Sequence, residues 1–417
     1  MRVFKVVVLL AVGLVASSAL VACSSSTSQT SSSSTSQISS SSTSQSGSTT
    51  NAKDYAAIAA GAAHTCVLRS GGTVQCWGSN VFGELGNGTT THSNLPVSVT
   101  GLTGVTAIAA GEERSCALLS GGTVQCWGFN DGTLGIGTDT GPETCSGDSC
   151  STTPVTVTGL SGVVAISTGT ASTCAVLSGG TVQCWGSNVR GELGDGTTNN
   201  STVPVSVTGL TGVTAIAAGV THACAVLSGG TVQCWGSNGN GELGEGSSTG
   251  PQTCASEACS TTPVSVTGLT GVTAIAAGGH HTCALISGGT VQCWGGGEMD
   301  TGGGTNTDST VPVSVSGLFG VTAIAAGSVK SCALLSGGTA KCWGLNTWGQ
   351  LGNGTTNNSD VPVSVSGLTG VTAIAAGNLH TCAVLSGSTV KCWGYIGGMV
   401  GNGTTNISNV PVGVTGL

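Results

Sequence analysis

Apolar positions along this chain come in short runs, and none of the runs has the spacing of a helix face. A segment like TAIAAG is followed by one like HTCALL, then by TVQCWG, then by PVSVTG, with clusters of Gly, Ser, Asn and Pro between them. Each segment reads as a short β-strand and each cluster as a turn. The quartet recurs seven times, as the first cysteine of each copy marks: Cys66, Cys116, Cys174, Cys224, Cys283, Cys332 and Cys382. A tryptophan follows the second cysteine of every copy, from Trp77 to Trp393. One unit has been copied, and a period of this length indicates a repeat architecture.

The second and third segments are joined by Ser-Gly-Gly, as at Ser70 to Gly72, which suits a three-residue hairpin loop with glycine in the left-handed conformation. Counting outward from that loop pairs Arg69 with Thr73, Leu68 with Val74, Val67 with Gln75, and Cys66 with Cys76. Pleating then puts Leu68, Val74 and the cysteine pair on one face of the hairpin, and Val67, Gln75 and Trp77 on the other. Both faces carry apolar groups, so both must be covered. Seven small sheets of this kind predict an all-β fold: a seven-bladed β-propeller of four-stranded antiparallel blades, each packed between two neighbours. The alanine- and glycine-rich first strand suits the crowded axis of such a ring.

The 19 cysteines sort into seven pairs spaced by ten residues, two pairs spaced by five, and one left over, Cys23. The first set is Cys66–Cys76, Cys116–Cys126, Cys174–Cys184, Cys224–Cys234, Cys283–Cys293, Cys332–Cys342 and Cys382–Cys392; the second is Cys145–Cys150 and Cys254–Cys259. Directly opposed cysteines on a hairpin are close enough for a disulfide, and so many pairs suggest an oxidising compartment. A reduced buried pair is the alternative. Zinc is disfavoured, because two ligands ten residues apart with no second pair nearby do not supply four.

Residues 1–22 carry Arg2 and Lys5 and then an apolar run too short for a spanning helix, which reads as a secretory signal. Its end, Leu20, Val21, Ala22, Cys23, resembles the lipobox of bacterial lipoproteins. The resemblance implies cleavage before Cys23, lipid on its thiol, and an extracytoplasmic chain anchored to the cell envelope, at the outer membrane in a Gram-negative host. Residues 23–52 hold that cysteine and a Ser/Thr-rich stretch with no apolar periodicity, expected to be a flexible tether. Residues 53–417 are the propeller.

With 72 glycines, 6% charged residues and a formal net charge of −8, the chain is neither disordered nor an ordinary helical enzyme, and its surface should repel a phosphate backbone. A nucleic-acid partner is therefore disfavoured. The residues Gly61, His64, Thr65, Gly72, Val74, Trp77, Gly78, Asn80, Gly83, Leu85, Gly86 and Gly88, repeated in register through the copies, resemble the regulator of chromosome condensation repeat family. That resemblance implies a seven-bladed propeller, in agreement with the count of copies. It does not fix a function: the family's eukaryotic founder is a nuclear exchange factor that binds chromatin, and bacterial relatives include a secreted β-lactamase inhibitor. Here Arg114, Ser172 and Lys330 stand where other copies have histidine, and a glycine-rich run from Gly295 to Gly304 replaces the usual ELG segment.

Catalytic signals are weak. His64, His222, His281 and His380 occupy one repeat position, which favours a scaffold role. Gly246, Ser248 and Gly250 fit a nucleophile-elbow spacing but lie in a loop with no helix after it. Polar turns such as Gly194 to Asn200 offer oxygen atoms without a calcium ligand set. No cofactor and no catalytic residue is expected.

The informative signal is where the copies differ. The connections between strands 1 and 2 and between strands 3 and 4 vary most, and in an antiparallel blade both lie at the same end; the SGGT and GLTGV connections at the other end barely change. The varied positions give the candidate binding residues: Glu112, Glu113 and His280 in the first connection, and Phe82, Phe129, Asp131, Arg190, Met299, Trp348 and Tyr395 in the second. The chain is thus expected to be a monomeric, non-catalytic scaffold that binds a protein or cell-surface glycan. An enzyme with its site in the central channel, a structural or adhesive surface protein, and an inhibitor-like binder are the competing readings.

Overall fold

In the computed structural model the described residues are 55–296, 301–304, 308–395 and 400–417. They form seven consecutive antiparallel sheets arranged as the blades of a propeller, with no helix among them. Blade 1 shows the plan: strand 1 Tyr55–Ala60, strand 2 His64–Arg69, strand 3 Val74–Gly78 and strand 4 Ser93–Ser98, paired in that order. The hairpin register is the one the Ser-Gly-Gly turn dictates, with Leu68 opposite Val74, Val67 opposite Gln75 and Cys66 opposite Cys76. All nine expected cysteine pairs are disulfide-bonded, and the seven in-blade clasps hold their Cα atoms 4.0–4.1 Å apart.

Blades 2 and 4 depart from four strands. Their cystine-pinned insertions fold into hairpins whose short arm, Glu143–Cys145 or Gln252–Cys254, becomes a fifth strand on the outer edge. The returning arm, Asp148–Thr156 or Glu257–Ser265, continues directly as strand 4. A loop of this length can satisfy its own backbone donors by pairing with itself, and the disulfide closes the turn.

Alternate faces of each sheet are buried between blades, as the pleat requires. The face of blade 1 bearing Leu68, Val74 and the Cys66–Cys76 bridge packs against Ile108, Ala117 and Trp127 of blade 2. Its other face, with Val67 and Trp77, packs against Val384, Val390 and the Cys382–Cys392 bridge of blade 7. The ring therefore closes by face-to-face packing of the first copy on the last, with each blade built from one continuous stretch. A second ring of contacts runs round the rim, where a loop glycine of each blade donates its N–H to strand 4 of the next or to its near neighbour: Gly88 to Thr152 O, Gly246 to Thr310 O, Gly354 to Asn409 O, and across the closure Gly403 to Asn94 O, at 2.9–3.1 Å.

At the axis the chain comes closer to itself than side chains allow. A Cβ on Gly61 would stand 2.6 Å from Gly111 O, one on Gly111 would stand 2.7 Å from Gly169 O, and one on Gly377 would stand 2.4 Å from Gly61 O. Glycine is needed there for close approach of neighbouring blades. The small residues leading up to this ring, such as Ala60, Ala110, Thr168 and Ala218, are completely buried.

Candidate functional site

Because strands 1 and 3 run toward it and strands 2 and 4 away from it, one end of the propeller collects the described parts of the 1–2 and 3–4 connections. These are the segments in which the copies differ, and the structure places them together. The long connections are held rigid by a buried asparagine. Asn80 receives the Leu85 N–H on its Oδ1 and donates from its Nδ2 to Thr89 O and Thr91 O; Asn188, Asn238 and Asn346 likewise receive the N–H five residues on. Next in the loop, a carboxylate or amide turns back on the chain, so that Phe82 N–H donates to Glu84 Oε2, Arg190 N–H to Glu192 Oε2 and Trp348 N–H to Gln350 Oε1. The side chains at positions 82, 190 and 348 are presented from fixed backbone. His92, outside the repeated histidine position, is also an anchor: its Nδ1 accepts the Asn80 N–H.

The expected binding residues meet in groups that bridge blade boundaries. Phe82 of blade 1 packs edge-on against Phe129 of blade 2, ring centroids 5.0 Å apart. Trp348 of blade 6 stacks on Tyr395 of blade 7 at 4.9 Å, and Trp348 remains 38% exposed. Arg190 of blade 3 reaches the blade 4 hairpin, its Nε and an Nη donating to Glu257 at 2.5 and 3.2 Å. His280 of blade 5 approaches Glu242 of blade 4 at 3.4 Å, with Asn240 bridging them. Glu112, Glu113, Phe129 and Asp131 line a cleft of about 160 Å³ between blades 2 and 3, completed by Arg114, Thr133, Thr170 and Ala171. Met299 lies outside the described residues.

One part of the expected variable surface is internal. The leading residue of several 1–2 connections, Ala62, Val220, Ser328 and Asn378, is at most 6% exposed. It sits beside the axial glycines, so its variation concerns packing rather than a partner.

The repeated histidines are buried links between blades. Nε2 of His64, His222, His281 and His380 lies 2.8–3.0 Å from the hydroxyl of Ser115, Thr282, Ser331 and Thr65, each on the neighbouring blade. Burial drives the His222 imidazole down to about 4, against the pull of Glu242, and His281 down to about 3. Both are neutral at ordinary pH. Where the copies have Arg114 and Lys330 instead, the cation is buried as well. Arg114 donates to Thr170 O, Gly169 O, Ser172 O and Thr173 Oγ1, and Lys330 to Gly377 O and Asn378 O. Burial lowers Arg114 to about 10, which still leaves it charged at neutral pH.

Sequence reasoning did not pick out three buried glutamates, Glu84, Glu192 and Glu242. Burial raises Glu192 to about 7. Glu242 is buried too, but hydrogen bonds from His280 and Asn240, with His222 close by, outweigh desolvation and hold it below the ordinary carboxylate range. Their place in the repeated ELG segment was the available signal, since the backbone carbonyl there receives the next blade's indole: Trp127 to Glu84 O, Trp235 to Glu192 O and Trp294 to Glu242 O, each at 2.8 Å. The one metal-type grouping among the described residues is Glu143 with Cys145 and Cys150, and those two sulfurs are bonded to each other.

Comparison with known proteins agrees with this geometry. Residues 9–319 match the RCC1-like domain, and residues 321–350 and 339–384 match the regulator of chromosome condensation (RCC1) repeat. Prp20p of Saccharomyces cerevisiae, described with its binding to Gsp1p and histones, is 24% identical over 76% of this chain and 79% of its own, with a TM-score of 0.64. Human WBSCR16 is 21% identical over 80% of this chain and 88% of its own, with a TM-score of 0.68. The human E3 ubiquitin-protein ligase HERC2 is 32% identical over 148 residues, which are 34% of this chain but 3% of that protein.

Proposed function

The chain belongs to the RCC1-like domain family, and from that premise we propose that it is a non-catalytic binding scaffold, lipid-anchored through Cys23 outside the cytoplasm, whose variable end holds a protein partner or a cell-surface glycan. The observation that carries this reading is the gathering of difference at one end: seven blades alike in register and core diverge where their connections meet, and there they bring paired aromatic and charged side chains to the surface. Binding of Gsp1p and histones by Prp20p brings a protein partner forward for the same fold. The absence of chemistry is part of the proposal, supported by histidines that are spent on links between blades and by an axis packed with small residues.

Two measurements test it. Replacing both Trp348 and Tyr395 with alanine should reduce capture of the partner from envelope and secreted components by at least about tenfold, because exposed aromatic pairs are typical anchors. The melting temperature should move little, since Trp348 is already part exposed; loss of folding would show the pair to be core. Replacing Cys23 with serine should shift the chain from the membrane to the soluble fraction, and a chain that stays in the membrane fraction would remove the lipid anchor.

A further inference from the structure

The charges of this propeller are sorted by end. Every aspartate and glutamate among the described residues lies in a 1–2 connection, in a 3–4 connection or its hairpin, or within the first two residues of a fourth strand, and all of these belong to the variable end. The cations are placed elsewhere or already engaged. Arg69 closes a second strand at the opposite end, Lys341 reaches Gly317 O in a 4–1 connection of that same end, and Lys391 holds the register position of Lys341 in strand 3 of blade 7. At the variable end Arg114 and Lys330 are buried and donate to carbonyls, and Arg190 is paired with Glu257.

From this arrangement we infer that the variable end is a docking surface for a basic protein segment, with a lysine or arginine side chain of that segment entering the cleft between blades 2 and 3. The inference rests on the binding-scaffold reading and narrows it to one class of partner. The cleft offers an incoming cation two kinds of attraction, from the carboxylates of Glu112, Glu113 and Asp131 and from the Phe129 ring. Arg114 lines the same cleft and is attracted by all three carboxylates, which leaves three negative groups facing one guanidinium, and four acceptors of blade 3 keep that guanidinium from moving further out. On the boundary of blades 6 and 7, the stacked Trp348 and Tyr395 supply an independent apolar anchor on the same end. A field of one sign over one end steers a cationic partner in and repels phosphate-bearing or uronate-bearing polymers.

The test uses the whole chain and two labelled probes, hexalysine and hexaglutamate, followed by fluorescence anisotropy. Hexalysine should bind and hexaglutamate should not, and raising salt from about 20 to about 200 mM should weaken hexalysine binding by about tenfold as screening shortens the field. The triple change Glu112→Gln, Glu113→Gln, Asp131→Asn should weaken it by at least about fivefold, and Asp131→Asn alone, at an exposed position, by about twofold. Lys341→Gln, at the other end, should leave it unchanged. Equal binding of both probes, or hexalysine binding that ignores the cleft substitutions in folded protein, overturns the inference. Capture of a neutral oligosaccharide that depends on Trp348, without hexalysine binding, would overturn the cationic partner while leaving the scaffold reading in place.

Discussion

Replacing Trp235 with alanine should destabilise the propeller by about 3–5 kcal/mol, the usual range for deleting a large aromatic from a packed core. The indole is completely buried and belongs to the interface of blades 3 and 4, where it meets Val176, Val182, Leu193 and the Cys174–Cys184 bridge of blade 3 together with Ile216 and Ala225 of its own blade. Truncation leaves a cavity between blades and takes the N–H donor away from Glu192 O. Loss of a buried acceptor's partner adds to the cavity cost. In a ring of repeats each interface supports its neighbours, so the weakened one should also lower the cooperativity of unfolding. Trp348→Ala is the internal comparison, since this is the tryptophan outside the repeat and it is part exposed; its cost should stay near or below about 1 kcal/mol. Denaturant unfolding followed by circular dichroism measures both. Equal costs for the two substitutions would contradict the assignment of one indole to the core and the other to the surface.

That contrast could be drawn from sequence, because Trp235 recurs in every copy and Trp348 does not. The same logic carried the hairpin register: once the Ser-Gly-Gly turn is placed, opposed cysteines and the split of Leu68 and Val74 from Val67 and Trp77 follow from the pleat alone, and the blade interfaces use those two faces as assigned. The contents of the site were less legible. Phe82 and Phe129 were both expected at the surface, but that they touch depends on how far one blade's loop leans over the next, which no local pattern encodes. Arg114 and Lys330 were visible as departures from histidine, yet their burial follows from carbonyl acceptors that neighbouring blades bring to the axis. The strand character of the two cystine-pinned insertions is not legible in the sequence, because a three-residue strand such as Glu143–Cys145 is too short to show alternation.

The buried histidines lead to the second large effect, a loss of stability in acid. His222 and His281 titrate near 6.5 when unfolded but near 4 and 3 in the folded ring, where burial opposes their charge. Below 6.5 the unfolded chain therefore takes up protons that the folded chain does not, and stability falls as pH drops from 6.5 toward those folded values. Each histidine contributes on the order of a few kcal/mol to that loss. Glu192 works in the opposite sense: raised to about 7 when folded and near 4.5 when unfolded, it stays protonated in the ring while the unfolded chain ionises, so it costs stability as pH rises from 4.5 to 7. Between 4.5 and 6.5 the carboxyl offsets one of the two histidines, whereas below 4.5 that offset ends and the depressed Glu242 adds a loss of its own as it protonates. The expected profile is a shallow decline from pH 6.5 to 4.5 followed by a steep one toward pH 4. Unfolding measured across that range should show the break, and the double substitution His222→Gln and His281→Gln, which keeps a polar group for Thr282 and Ser331, should abolish the decline between pH 6.5 and 4.5, where Glu192 alone then makes the variant gain stability as pH falls, and should lessen the loss below pH 4.5. A double variant with the parent slope would mean that the acid response comes from surface carboxylates and not from the links between blades.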